Sequence, residues 1–312
     1  MHFEYAVEPR AIGSSWATFR YLIEQFGFDK GRLISQFPKH WFRDAYEATT
    51  GFLPVQKLRV TEALNQAKKN KVVRCNRPYD ANAGNWLHNA LSEHRRSPFR
   101  AIVAAENPSG DEAVLVADEI DEQQPLMNVP HDSAVRRDAA SLSAAMREML
   151  RFGARILFVD PFYDPFNARY RDTFRECFNI VRTLNPDAVC EIHYRFHKDK
   201  PANDDLERAA TQLFRGAVPD GMKVTIFCWR QKTGGADFHA RYLLTDKGGI
   251  GIDAGFSAEG GHQTTDMHLM TFELSQEKLK AFSRDATDYE LVDPVIRVDG
   301  DGRVEERLAD RF

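Results

Sequence analysis

Cysteine is scarce in this chain, and what there is lies scattered. Its four cysteines are Cys75, Cys177, Cys190 and Cys228, no two of them within ten residues of each other. That spacing excludes a CxxC zinc knuckle or redox pair and argues against a disulfide framework, so reduced, mostly buried thiols in a reducing cytoplasm are expected. Long apolar runs are missing too. No stretch approaches the roughly 18 residues that a membrane-crossing helix needs. The opening residues, Met1-His2-Phe3-Glu4-Tyr5, lack the basic-then-apolar order of a secretory signal, which points to a cytoplasmic protein with no membrane partner. An excess of basic charge is likewise absent. Lys plus Arg number 42 against 46 Asp plus Glu, a net charge of −4, which argues against a wholly basic nucleic-acid-binding chain but leaves room for a local basic groove. Neither an internal repeat nor a low-complexity segment is present.

What remains is the composition of a globular protein, 43% hydrophobic and 28% charged over 312 residues, long enough for two domains at roughly 150 residues each. Residues 1–135 read as an α+β domain. Trp16, Phe19, Leu22, Ile23 and Phe26 fall at helical spacing within 14–27. A second amphipathic helix over 54–70 starts with Pro54 and ends on basic residues, and a third covers 85–94. Strands over 99–105 and 113–117 are joined by Asn107-Pro108-Ser109-Gly110. The polar stretch 121–138 suits a linker.

From residue 139 the pattern becomes regular. Helices over 139–151, 169–184 and 204–215 alternate with strands over 155–159, 188–194 and 223–229, which predicts βαβ units in a mostly parallel sheet covered on both faces. The alternation then stops. Strands over 238–244 and 250–256, around Lys247-Gly248-Gly249, read as an antiparallel hairpin, followed by a strand over 267–272 and a helix over 275–286. The expected fold is therefore α/β over 136–312, a mixed sheet flanked by helices, preceded by the α+β domain.

One segment carries chemistry. His239 and Arg241 stand two apart, so on a strand they project from one face. A neutral imidazole attacks phosphorus or moves a proton, while a guanidinium binds two phosphate oxygens as charge builds on them. Asp246, at the expected strand end, orients a ring or holds a strand-to-strand contact. The bland alternative pairs His239 and Arg241 with carboxylates such as Asp237 or Glu273, without catalysis.

His239, Arg241 and Asp246 have the spacing of the motif His-x-Lys-x4-Asp, and here the sequence resembles the phospholipase D-like superfamily over roughly residues 139–290. Arg241 stands where the family has Lys, and the Gly-Ser that follows the family motif reads Asp253-Ala254 or Gly255-Phe256. A single copy of the motif is present. The resemblance implies a metal-independent reaction in which one His becomes a phospho-histidine and a second protonates the leaving group. Single-motif members assemble that site from two subunits, so His239 is the expected nucleophile, Arg241 the phosphate clamp, and a homodimer the expected assembly. No cofactor is implied. Arginine keeps the charge of lysine but not its geometry, which bears on turnover more than on phosphate binding.

Further candidates surround this motif. Asp160, in Asp160-Pro161-Phe162, ends the first strand of the second domain, where ligands of open α/β sheets collect, and the family often has a similar turn there; otherwise it caps a turn. His193 and Arg195 form a second His-x-Arg, sharing a strand face with Glu191 and His197. They either border the pocket or belong to a polar strand end entering the loop 198–205. Ser257, just after Gly255-Phe256, and Glu273 complete the expected substrate contacts. No metal site is expected, because His193 and His197 on one strand lie about 13 Å apart. Lys247-Gly248-Gly249 lacks the order of a phosphate loop, and Gly13-Ser14-Ser15 is no nucleophile elbow. The basic clusters Lys68-Lys69-Asn70-Lys71 (with Arg74 and Arg77) and His94-Arg95-Arg96 are solvated faces or a nucleic-acid contact surface.

Two functions follow as expectations. The first is a phosphodiesterase, a nuclease in preference to a lipid-acting enzyme because no apolar anchor is visible. The second is a catalytically inactive scaffold or regulatory subunit, with residues 1–135 docking other proteins or nucleic acid. By analogy with the superfamily, either fits a bacterial multi-protein defence system directed at DNA.

Overall fold

A computed structural model describes residues 1–121, 123–197, 203–260, 262–283 and 285–307. The chain divides into two compact units, Met1–His131 and Asp132–Phe312. In the first unit the order is β1 (Phe3–Val7), α1 (Pro9–Ile12), α2 (Trp16–Gln25), β2 (Arg32–Ser35), α3 (Trp41–Ala48), α4 (Pro54–Asn70), β3 (Val72–Val73), α5 (Trp86–Arg96), β4 (Ile102–Ala104) and β5 (Val114–Val116). Among the described residues these strands form one sheet of order β3-β2-β1-β4-β5, and every pairing is parallel. The unit is therefore doubly wound α/β, not the α+β domain that the sequence predicts. The pattern misled because β1 to β3 are short, and β1 lies at the chain start without flanking turn residues.

Both faces of this sheet are covered, as a parallel sheet requires. Tyr5 and Val7 of β1 face Phe19, Leu22, Trp41, Val60 and Leu64 from α2, α3 and α4. Ala6, one residue between them, faces the other way toward Phe37, Leu87, Ala90 and Phe99, the alternation that a strand imposes. Strands β4 and β5 run parallel, so residues 105–113 carry the chain back across the sheet end instead of closing a hairpin.

The second unit contains β6 (Asp132–Arg136), α6 (Ala139–Phe152), β7 (Arg155–Val159), α7 (Ala168–Leu184), β8 (Val189–Arg195), α8 (Asn203–Phe214), β9 (Lys223–Gln231), β10 (Tyr242–Thr245), β11 (Gly248–Ile252), β12 (Thr264–Leu269), α9 (Phe272–Ala281), β13 (Tyr289–Asp299) and β14 (Val304–Arg307). Its sheet has the order β14-β13-β9-β8-β7-β10-β11-β12-β6 among the described residues. Strands β7, β8 and β9 are parallel, and the flanking pairs are antiparallel. The architecture is a mixed sheet flanked by helices. The expected βαβ run is present with its strands near their expected places, whereas the stretch read as a linker contains β6, an edge strand.

One face of this sheet is built on Leu157, Val159, Phe227, Trp229 and Leu244 against Phe282 and Tyr289. On the other, Phe158 meets Phe174 and Phe178 of α7 with ring centroids 5.1 and 5.6 Å away. Helix α6 starts on Asp138, whose side chain accepts from Ser141 N–H at 2.8 Å and caps the first turn. Among the described helices none is long and apolar enough to cross a membrane.

Candidate functional site

Strand β10 begins at Tyr242, so His239 and Arg241 lie in the irregular lead-in to it and not on the strand the sequence predicts. Register sets their position. Tyr242 pairs with Val159 in an antiparallel ladder, which brings the start of β10 beside the carboxyl end of β7 and the turn Asp160-Pro161-Phe162. Strand β8 runs parallel to β7, with Val159 opposite His193, so Arg195 emerges at the same carboxyl end of the sheet.

The ring of Phe162 gathers these side chains. His239 meets it edge to face at 5.4 Å and 86°. The guanidinium of Arg241 lies 4.6 Å from the ring centroid, and that of Arg195 lies 5.5 Å away. Each cation–π contact is worth about 0.5–2 kcal/mol, depending on how dry it is. Arg241 also donates from Nη1 to the Asp253 carbonyl at 3.0 Å, while its buried Nε has no hydrogen-bond partner among the described residues. Arg195 pairs with Asp237 at 3.5 Å, a long and partly exposed contact of small energetic weight. Asp237 thus engages Arg195, and among the described residues neither His239 nor Arg241 takes a carboxylate partner. His239 is exposed, and among the described residues it makes no hydrogen bond. It also lines a cleft of about 560 Å3 with Tyr242, Lys278, Lys280 and Asp288.

Asp160 is buried under this cluster. Its Oδ1 accepts from Phe162 N–H at 2.9 Å, and its Oδ2 accepts from Phe256 N–H at 3.1 Å. It ties the β7 turn to the loop after β11, a positioning role in place of the expected substrate contact. Gly255 lies in the left-handed region at φ 72°, and a Cβ there would overlap the Asp160 carboxylate and crowd Arg241 Cγ at 3.2 Å. Glycine is required on both counts. Tyr170 of α7, which sequence reasoning missed, is held in its phenol form by burial and by the Asp160 carboxylate, with Arg241 acting in the opposite direction.

The remaining expected site residues are placed elsewhere. His193 is fully buried in the sheet, its Nε2 2.9 Å from Glu191 Oε2 and its Nδ1 accepting from the Trp229 indole at 2.9 Å. It is a core histidine and has no access to substrate. Asp246 lies at the far end of β10, where Oδ1 accepts from Ala154 N–H at 2.7 Å and Oδ2 pairs with Lys247 at 3.1 Å. A strand of this length separates it from His239 by more than 10 Å, roughly 3.3 Å per residue, so it anchors β10 to the start of β7 and orients no ring. Ser257 directs its hydroxyl to Glu259 at 3.3 Å, and Glu259 in turn pairs with Arg137 and Arg169. Glu273 is exposed in the first turn of α9, one turn from Gln276, which donates to the Thr245 carbonyl at the Asp246 end of β10. Of the loop expected over 198–205, residues 198–202 lie outside the described residues. Among those described, no three His, Cys, Asp or Glu side chains gather as a metal-binding group.

Fold and cluster together define a two-unit α/β protein whose second unit presents one imidazole and two guanidiniums on a phenyl ring at the strand ends. No family model matches the chain, and no curated protein matches it. Among solved structures it is similar to the archaeal chromatin protein TrmBL2, described as showing a novel mode of DNA binding. That likeness has 15% sequence identity and a TM-score of 0.27, and it covers 56% of this chain and 59% of the other. A likeness of this degree bears on neither fold nor function.

Proposed function

We propose that the second unit is a phospholipase D-like domain and that the protein is a metal-independent phosphodiesterase acting on nucleic acid. The observation that carries this reading is the shared ring of Phe162, which holds His239, Arg241 and Arg195 together at the carboxyl ends of β7 and β8. Two permanent cations beside an exposed imidazole make a fitting cradle for a phosphodiester. In the proposed reaction an imidazole nitrogen of His239 attacks phosphorus, a P–N bond forms, and one P–O ester bond breaks. The departing oxygen takes a proton from a protonated imidazole. Water then attacks phosphorus and gives a proton back to that second imidazole, the P–N bond to His239 breaks, and a phosphomonoester leaves.

That scheme needs a second proton donor. His193 is buried against Glu191 and Trp229, so the donor in this proposal is His239 of a second copy, in a homodimer. A second reading, a phosphate-binding scaffold without turnover, is favoured by the hydrogen bond that commits Arg241 to the Asp253 carbonyl. In that case the first unit serves to dock partner proteins of a larger assembly.

Purified protein in EDTA, offered single- and double-stranded DNA, RNA and a chromogenic phosphodiester, separates the two. Cleavage by the wild type that is lost in His239→Ala supports the enzyme. Cleavage that persists in the variant sinks the mechanism. Oligonucleotide binding without cleavage, weakened by Arg241→Ala, favours the scaffold.

A further inference from the structure

The first unit has a cavity of its own. In its sheet the chain runs outward from β1 through β2 to β3, then returns to place β4 on the other side of β1. The reversal leaves a crevice at the carboxyl ends of β1 and β4, the place where open α/β sheets bind ligands. A cavity of about 600 Å3 opens there, a volume suited to a small molecule. Glu8, the residue after β1, spans the crevice: its N–H donates to the Val103 carbonyl at 2.8 Å and its Oε2 accepts from Ala105 N–H at 2.8 Å.

The usual occupant of such a crevice, a phosphate, does not fit this one. A phosphate needs a glycine-rich turn with free N–H groups after the first strand. Here the turn is Glu8-Pro9-Arg10, so a carboxylate occupies the position and Pro9 has no N–H to offer. At the N-terminus of α5 the Asn85 side chain takes the His88 N–H at 2.8 Å, removing one of the donors a phosphate would need. Charge on the cavity wall runs the other way, with Glu8, Asp44, Glu47 and Glu106 against Arg10. Asp44 is already engaged by His40 Nδ1 at 2.5 Å and by Arg43 at 3.2 Å, whereas Glu47 meets only Arg43, at 3.7 Å among the described residues, an exposed pair weak enough for a ligand to displace.

Two rings complete the wall, and both are fixed. Phe37 lies 5.2 Å from Tyr79 and 6.1 Å from Trp86, and the Trp86 indole donates to the Phe37 carbonyl at 3.0 Å. Burial raises the Tyr79 phenol above its ordinary acidity range, and the Asp44 and Glu8 carboxylates reinforce the shift. Aromatic faces rimmed by carboxylates attract a cation and repel an anion.

We infer that the switch-point cavity of the first unit binds a small organic cation carrying a guanidinium or primary ammonium group. The ring wall takes the flat or aliphatic body of the ligand, and the carboxylates take its charged end. This site is independent of the phosphodiester reading of the second unit.

Calorimetric titration of the full chain with agmatine, putrescine and AMP tests it. Agmatine is expected to bind with a Kd of about 0.1–1 mM, and AMP not at all. Glu47→Gln combined with Glu106→Gln, both exposed positions, is expected to weaken agmatine about tenfold. Tyr79→Leu is expected to weaken it about fivefold, with thermal melting checking that the variant is folded. His239→Ala leaves the affinity unchanged. No heat with agmatine or putrescine up to about 10 mM overturns the inference, as does AMP binding more tightly than agmatine or equal affinity in the doubly substituted variant. Binding of an Ala-Arg-Ala peptide in preference to agmatine would overturn the small-molecule assignment in favour of a protein side chain.

Discussion

Trp229 gives its indole N–H to Nδ1 of His193 at 2.9 Å, and that bond decides which proton the histidine carries. Because Nδ1 accepts, the ring proton sits on Nε2 and points at Glu191 Oε2, 2.9 Å away. Arg155 holds both oxygens of Glu191, at 2.8 and 2.7 Å. A neutral imidazole, a carboxylate and a guanidinium thus close one network in the sheet, with the His193 ring stacked 4.7 Å from Phe227. Both imidazole nitrogens and both Glu191 oxygens meet a partner, as burial demands.

Trp229→Phe keeps the ring but removes the donor, leaving Nδ1 of a buried histidine unpaired. A loss of about 1–3 kcal/mol is expected, read by urea unfolding. An unchanged midpoint would mean that water replaces the indole.

Acid should weaken the protein through the same network. Burial lowers the His193 affinity for protons from its ordinary 6.5, so the folded ring stays neutral while the unfolded one charges as pH falls through 6.5. For Glu191, burial pushes upward but is outweighed by the hydrogen bonds from His193 and Arg155, which hold it at about 2 against an ordinary 4.5. His2, lowered to about 3 by burial and the N-terminal ammonium, acts in the same direction as His193. All three contributions are complete at neutral pH and are lost on acidification, His from 6.5 downward and Glu191 from 4.5 downward. Melting temperature is expected to be level above pH 7 and to fall below it, with a shallower first decline in His193→Gln. A flat profile from pH 7 to 5 contradicts this assignment.

Phe162 is half-buried, so Phe162→Ala is expected to change stability little while freeing Arg195, Arg241 and His239 from their common ring. On the proposed nucleic-acid reading, oligonucleotide affinity should drop about tenfold, because both cation–π interactions disappear with the ring, and its salt dependence should survive because the charges remain. Fluorescence anisotropy at two salt concentrations reads both.

Asp246→Ala separates anchoring from catalysis. Loss of the Ala154 contact is expected to cost about 1 kcal/mol, while kcat on any phosphodiester the protein cleaves stays at the wild-type value. A collapse of kcat at unchanged melting temperature would return Asp246 to the site.

The βαβ run of the second unit was legible because β7 and β9 are largely apolar and β8 alternates apolar with polar residues, with amphipathic helices between them that carry their own signals, such as Asp138 before α6. Strand β13 was hidden by Pro294, a residue that speaks against a strand interior. The structure admits it at a bulge, where the register to β9 shifts between Val292 and Ile296. Strand β6 was hidden by its polarity, since an edge strand buries little. The segment carrying His239 and Arg241 was legible, but its strand was extended too far, because Phe238 is an apolar residue packed on Phe282 and Tyr289 and not the start of a ladder. Phe162 carried a signal, the turn after β7, though Asp160 beside it carried the more familiar one. Nothing in the spacing of His193 distinguishes a core histidine from a pocket one; its partner Trp229 lies on the next strand.

β6 is the first strand of its unit in sequence and an outermost one in space, paired with β12 through Asp132–His268 and Arg136–Thr264. Zipping it in closes a loop that runs from residue 137 to 263, through α6, β7 and on to β11, so β6 is expected to dock late in folding. The placing of a cut follows from this. A fragment begun at residue 136 bares the β12 ladder and invites edge-to-edge association, whereas one begun at residue 132 keeps that ladder capped by its own chain.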